Sequence, residues 1–585
     1  MGSLLAPLPS TGAASGDAGA LLFRACGVAI GLAIAASGVA LRRSPPRAPA
    51  PPSGARTGLG ELAALLVVAG VLRAIDLGSG LWYDEIVTLV EFVRLDAARL
   101  ATTYTSTNNH ILFSLLSHAS VVAFGESAWA VRLPAMLFGV ASLAAAWWMA
   151  HELAPGRARE ARLATWLVAL SYHHVWFSQN ARGYTGILLM SWLGTAIWLR
   201  ARRGGPRALW LAYALSLALA MYTHLSAVFV FAAHGIVWLA EEGVALARRE
   251  RALDAWPLVG FALGLALVLQ LYAVLLPQVV ETFGVQSGAG SGSATVTTWK
   301  NPLWTAVEIV RGLRLGPASA AAALVAFAIA ATGFASIARA RPFHALLIAL
   351  PPVVTLAALV AIGFNIWPRY FLTSLAFAAV VLMRGIFASA EALARRGAPG
   401  ALARPARVGT AAGVAVVALS AATLVQNYRF PKQDYAGARD FVAAERAPGD
   451  AVVAAGLAAY SYASLYAPDL REIDDAATLE ALRSERAAGG GRVWVIYSFP
   501  LHLRSTAPEL YAALERDFEP IRTFRGTLGD GDVHVLRSRA EAAPAPHAQA
   551  TGSRPSRAPA RERLTVRSAP TPIGAWRRCS TGGTA

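Results

Sequence analysis

The chain has 585 residues, 56% of them hydrophobic and only 15% charged, with a mean hydropathy of +0.47. A soluble protein carries roughly a quarter charged residues, and the apolar excess here is divided among many separate runs, which excludes one large soluble core. The net charge of +17 sits mostly in short loops between those runs, the pattern that orients membrane proteins rather than a nucleic-acid surface.

Residues 1–19 are small and polar and read as disordered. The run 20–41 is long enough to span a bilayer, and its positive residues follow it, unlike those of a cleaved signal peptide. Arg42, Arg43, Arg47 and Arg56 lie in a Pro-rich linker that reads as extended and cytoplasmic. Further runs cover about 58–76, 109–125, 129–151, 163–178, 185–200, 208–223, 225–242, 257–279, 316–337, 343–364, 370–390 and 408–426. The expectation is a mainly α, polytopic membrane fold over 20–426, with about 12–13 transmembrane segments. Cys26 and Cys579 imply neither a disulfide framework nor a thiolate metal site.

Arginine clusters in the loops 157–162, 200–207, 248–251, 339–341 and 395–407 read as cytoplasmic. The alternate connections, 77–108, 178–184, 280–315, 365–369 and everything after 426, then face outward. Two runs separate the outer 77–108 from the inner 152–162, so one segment between 109 and 151 fails to cross fully. After 426 the pattern changes. "DYAGARDFVAAERA" and "TAPELYAALERDF" have helical periodicity, while "AVVAAG" and "RVWVIYSF" read as buried strands. Residues 427–540 are therefore expected to form a small extracytoplasmic α/β domain. Residues 541–585 read as a disordered tail, and "GAGSGS" (288–293) as a flexible connection without the features of a phosphate loop.

Four stretches that could carry chemistry fall on the outer side. In "WYDEI", Asp84 or Glu85 could take a proton from an attacking hydroxyl, or the pair could be a solvated loop. In "SQNARGYTG", Arg182 stands where positive charge is scarce. It could hold a lipid phosphate or, with Tyr184, simply anchor the interface. "NIWPRYFL" repeats the combination with Arg369 and Tyr370, and two such corners suit a membrane-anchored anion better than two independent anchors. Histidines form the fourth set: His110 in "TNNHILF", His224 in "MYTHLSAVF", and His173 with His174 just before Gln179. An acid with His224 could make an oxygen/nitrogen metal site, although sequence spacing gives a divalent metal no support and no cofactor is required.

The acidic pair, "FGESAWAVRLPAMLFGV" (124–140), "SQNARGY" (178–184), "YTHLSAVF" (222–229) and "WPRYFL" (367–372) together resemble glycosyltransferase family 39, the protein mannosyltransferase and aminoarabinose transferase type with the GT-C membrane fold. The resemblance spans roughly 80–230, and 365–390 more weakly. It implies transfer of a sugar from a polyprenyl-phosphate donor to a lipid, protein or glycan acceptor on the outer face of the cell (inner) membrane, generally with inversion. It makes Asp84 the base, Glu85 its acidic partner, and Arg182 and Arg369 the carrier-phosphate ligands. Tyr184, Tyr370, His110, His224 and Gln179 become pocket neighbours. The chain departs from the family at "NNHILF", where many relatives have His-Pro-Pro, and in its extra run at 20–41. The rival reading is a transporter or lipid flippase without glycosyl transfer. Against it, the charges cluster at the outer rim rather than the midplane and no inverted repeat is evident. A non-catalytic scaffold that binds a partner through 427–540 is a third.

Overall fold

The computed structural model describes residues 13–43, 54–56, 58–250, 253–286, 297–311, 318–397 and 399–540. The start of the polar 1–19 stretch, most of the Pro-rich linker, the glycine stretch 288–293 and the tail 541–585 lie outside the described residues.

Every apolar run folds as helix. Seven helices among the described residues are long and apolar enough to cross a membrane, beginning with Gly19–Ala40 within Ala13–Arg43, and an eighth counts if a bent pair is one span. That pair, Trp256–Tyr272 and Leu276–Phe283, turns by 88°. The other runs give shorter or more polar helices. Leu59–Ala74 has 16 residues and Leu209–Thr223 has 15, about 22–24 Å at 1.5 Å per residue against a hydrocarbon core of roughly 30 Å. Between 109 and 151 the short member is Ile111–Phe124, with 14 residues beside the 26 of Ala128–Leu153.

The run 163–178 is broken into Ala158–Ala169 and Tyr172–Ser178. A break in an apolar bundle frees backbone carbonyls that need partners, and the fully buried Arg73 supplies one. Its Nη2 donates to Ala169 O at 3.0 Å and lies 2.7 Å from His174 Nδ1, while its Nε donates to Ser178 Oγ at 3.1 Å.

The helix ends sort into two groups. At one end, Arg202 pairs with Glu241, Glu242 and Asp254, Arg203 with Glu152, and Arg162 with Glu61. These are residues of the arginine-rich connections and the acids that answer them. The opposite end gathers 77–110, 179–184, 224–226 and 364–370, and onto it packs the C-terminal domain. There, strands β1 (Ala451–Ala455), β2 (Arg471–Ile473), β3 (Val493–Ser498), β4 (Phe518–Phe524) and β5 (Val533–Ser538) form one sheet in the order β2-β1-β3-β5-β4. The β1 pairings are parallel and the β5 pairings antiparallel. The central β3, "VWVIYS", is buried at every position, as a strand covered on both faces must be. Helices Tyr435–Glu445 and Pro508–Asp517 are the two read from periodicity. Buried side chains run without a gap from Trp494, Ile496, Tyr435 and Tyr462 of this domain to Leu81, Ile86 and Leu89 of the acidic segment.

Candidate active site

Each site residue sits where a helix starts or breaks. Asp84 lies in the first turn of Tyr83–Thr88. His110 immediately precedes Ile111–Phe124, and Arg182 and Gly183 lie in the turn before Tyr184–Arg202. His224 interrupts the chain between Leu209–Thr223 and Leu225–Ala227, and Arg369 belongs to the 3-10 turn Pro368–Ser374.

These residues line one cavity of about 320 Å³. Asp84, Arg182, Arg369, Tyr184, Tyr370, His110 and His224 all face it. Asp84 Oδ2 is 3.4 Å from Arg182 Nη1 and 3.5 Å from Arg369 Nη1, so two guanidinium groups share one carboxylate. Arg182 Nε and Nη1 and Arg369 Nε are buried with no hydrogen-bond partner. Unpaired buried donors are costly and call for an explanation; the oxygens of a bound anion would satisfy them.

The histidines add further donors. Gly183 N–H donates to His110 Nδ1 at 2.6 Å. A neutral imidazole that accepts there carries its proton on Nε2, which places a second donor 3.3 Å from Arg182 Nη2. His224 Nδ1 likewise accepts from Ser226 N at 3.1 Å, which leaves Nε2–H free to donate. Edge-to-face rings of His110, Tyr184 and His224 hold this wall together, with centroids 4.6 Å apart for the two histidines and 5.0 Å for His110 and Tyr184. The apolar part of the lining comes from Phe283, Leu359, Ile362, Phe364, Val228 and Phe229. Ile362 and Val228 of this lining are also exposed.

Glu85 and Gln179 do not line the cavity. Glu85 is fully buried and bound by Arg132 through Nε–Oε1 at 2.7 Å and Nη2–Oε2 at 2.6 Å, while Ala181 N–H donates to Oε1 at 2.6 Å. Burial alone would raise this carboxyl, but the Arg132 and Lys432 charges and the hydrogen bonds hold it below the ordinary glutamate value. Arg132 also donates to the carbonyls of Leu77, Ser79 and Gly80, and so fastens the whole turn that precedes Asp84. Gln179 caps a helix end, donating to Ile75 O at 2.5 Å and accepting from Asn427 Nδ2 at 2.7 Å. His174 is bound by Arg73 and Ser142 away from the cavity.

The sequence reading missed Arg132, Tyr104 and Asn108. Arg132 interrupts an apolar run, a signal that marks a buried charge with a purpose. Asn108 Nδ2 donates to Asp84 O at 3.0 Å, and Tyr104 lines the cavity. Among the described residues no group of three His, Cys, Asp or Glu side chains is placed to hold a metal ion.

No family model matches the chain, and neither does any curated protein. Solved structures do. The apo crystal structure of ArnT, an aminoarabinose transferase, from Cupriavidus metallidurans is 14% identical with a TM-score of 0.43, covering 83% of this chain and 99% of that one. The same protein bound to undecaprenyl phosphate is 14% identical with a TM-score of 0.42, covering 84% and 100%. The Archaeoglobus fulgidus oligosaccharyltransferase, tethered by a disulfide bond to an acceptor peptide containing the NVT sequon, is 11% identical with a TM-score of 0.43, covering 81% and 74%. All are GT-C glycosyltransferases. Likenesses of this distance carry no argument about activity, which must come from the site.

Proposed function

We propose that this chain is a multi-pass membrane glycosyltransferase of the GT-C type. It takes a sugar from a polyprenyl-phosphate carrier and transfers it to an acceptor hydroxyl on the extracytoplasmic face. The observation that carries the reading is the meeting of Arg182 and Arg369 on Asp84 in a cavity whose lining is partly apolar. A phosphodiester-linked sugar has a leaving group that needs charge neutralisation, which two guanidinium groups supply. The acceptor needs a base, and Asp84 is the carboxylate in the cavity lining. The apolar part of the lining suits the isoprene units next to the phosphate.

In this reading the carrier phosphate takes over the guanidinium groups from Asp84 and meets the unpaired Arg182 and Arg369 donors together with His110 Nε2–H. Asp84, released from its ion pairs, accepts the acceptor's proton as the acceptor oxygen attacks the anomeric carbon. The bond from that carbon to the phosphate oxygen breaks, and the carrier departs as a phosphate monoester stabilised by the arginines. A single displacement of this kind inverts the anomeric centre. Glu85 holds the Asp84 turn in place and takes no proton.

The deciding experiment incubates the purified protein with labelled polyprenyl-phosphate sugars and identifies the labelled product. A new glycosidic bond supports the reading. Movement of intact donor across vesicles without bond formation would replace it with a transporter.

A further inference from the structure

We infer that the C-terminal α/β domain is a working part of the reaction centre, with Gln433 and Tyr466 as positioning residues that set the direction of Asp84. The inference rests on the transferase reading above and gives residues 427–540 a role within it.

The argument begins with the weakness of the element that carries Asp84. Tyr83–Thr88 runs straight on into the π-helical turn Leu89–Val93, and a helix this short is marginal on its own. Asn108 holds it at Asp84 O, and the rest of its placement comes from what holds the residues on either side. On one side Glu85 is locked to Arg132 and to Ala181 N–H of the bundle. On the other side Tyr83 is locked to the domain. Its N–H donates to Gln433 Oε1 at 3.0 Å, and its ring stands edge-on to Tyr460 and Phe499, with centroids 5.9 and 6.0 Å away. Asp84 lies between a residue held by the bundle and a residue held by the domain.

The grip extends along the chain in both directions. Tyr466 OH donates to Leu81 O at 2.8 Å, and Tyr460 OH donates to Glu91 Oε1 at 2.6 Å. Tyr460 lies in the short helix Leu457–Ser461, which continues into a π-helical turn, Tyr462–Tyr466, and Glu91 lies in another, Leu89–Val93. Such turns are uncommon and re-aim the side chains around them. Gln433, 1% exposed, is anchored from behind, its Nε2 donating to Gly531 O at 3.0 Å. The domain therefore holds the segment 81–91 at Leu81, Tyr83 and Glu91, while Asp84 faces the cavity. A base displaced by about an ångström loses much of its effect, so loosening this grip should slow the chemical step. Donor binding should be spared, because Arg182 and Arg369 are carried by other elements.

The test uses full-length protein in detergent with Tyr466→Phe, which removes one hydroxyl, and Gln433→Ala. For each, kcat per folded molecule should fall about tenfold while the donor KM stays within about twofold of wild type, and the double variant should fall further. Hydrogen exchange should speed up at amides 81–91 and stay unchanged around 110 and 182–184. An unchanged kcat in both variants would overturn the inference. A parallel loss of donor binding would overturn it too, since the domain would then be a general prop. If wild-type protein transfers no sugar at all, the transferase reading fails, and the exchange measurement still decides whether the domain holds the segment.

Discussion

Arg132 grips Glu85 through both carboxylate oxygens, at 2.6 and 2.7 Å, and neither side chain reaches solvent. The adjacent acid, Asp84, faces the cavity at 17% side-chain exposure. Neighbouring carboxylates in one turn thus have opposite fates, one spent on structure and the other open to a substrate. The buried pair is what permits the exposed one, because it fixes the turn from which Asp84 projects.

Breaking that pair should cost stability before it costs chemistry. Arg132→Ala leaves Glu85 buried without its partner and orphans the carbonyls of Leu77, Ser79 and Gly80. Loss of one member of a buried ion pair typically costs about 3–5 kcal/mol. Thermal unfolding in detergent should show a clear drop for Arg132→Ala and a smaller one for Arg132→Lys, which keeps charge but not the fork. The pair's contribution also depends on pH. Glu85 has a depressed folded value despite its burial, so its stabilisation is fully present above the ordinary 4.5 and is lost as pH falls below that.

Asp84→Asn should abolish transfer and at the same time tighten binding of the bare carrier phosphate. The carboxylate that pairs with Arg182 and Arg369 competes with phosphate for them, and the amide carries no charge to compete with. A gain of about 3- to 10-fold in affinity, roughly 1 kcal/mol, should appear in titrations with polyprenyl phosphate. Weaker binding would mean that Asp84 supports the phosphate rather than yielding to it.

The arginines differ in what they can lose. Arg182 is 3% exposed and has two nitrogens without a hydrogen bond, one of them ion-paired to Asp84, whereas Arg369 is 28% exposed with one. Arg182→Lys should therefore remain poor, since a point charge cannot restore the missing fork, and kcat/KM for the donor should fall by about 100-fold. Arg369→Lys should retain more activity. Equal effects of the two substitutions would show that charge alone matters at this site.

Much of the site was legible because its signal is local and chemical. Asp84, Arg182 and Arg369 are charges on the side of the membrane where arginines are scarce, and the fold brings them to one oxygen atom. What the chain could not reveal is how distant segments pair. Glu85 looks as available as Asp84 until Arg132, 47 positions on, is seen to enclose it. Gln179, a pocket neighbour by the family resemblance, gives its amide instead to the freed carbonyl of Ile75. The break after Ala169 depends on Arg73 in another helix. The contact of Tyr83 with Gln433 spans 350 positions, and no periodicity encodes such a register.

Lys432 supplies the final prediction, at the junction where the domain meets the bundle. Its ammonium group is buried, donates to Gln179 O at 2.6 Å and lies over the Trp176 ring. Burial, reinforced by the Arg132 charge and opposed by Glu85, pushes its pKa down to about 7 from an ordinary 10.5. Between those values the unfolded chain holds a proton that the folded chain has shed, so folding stability should rise with pH across that window. Lys432→Met removes the titrating group and fills the site with an apolar stem of similar length. Its stability relative to wild type should be greatest near pH 7 and shrink as pH approaches 10.5. Unfolding curves for the two proteins that stay parallel across this range would mean that Lys432 keeps its charge when buried, balanced by Glu85 and the Trp176 ring.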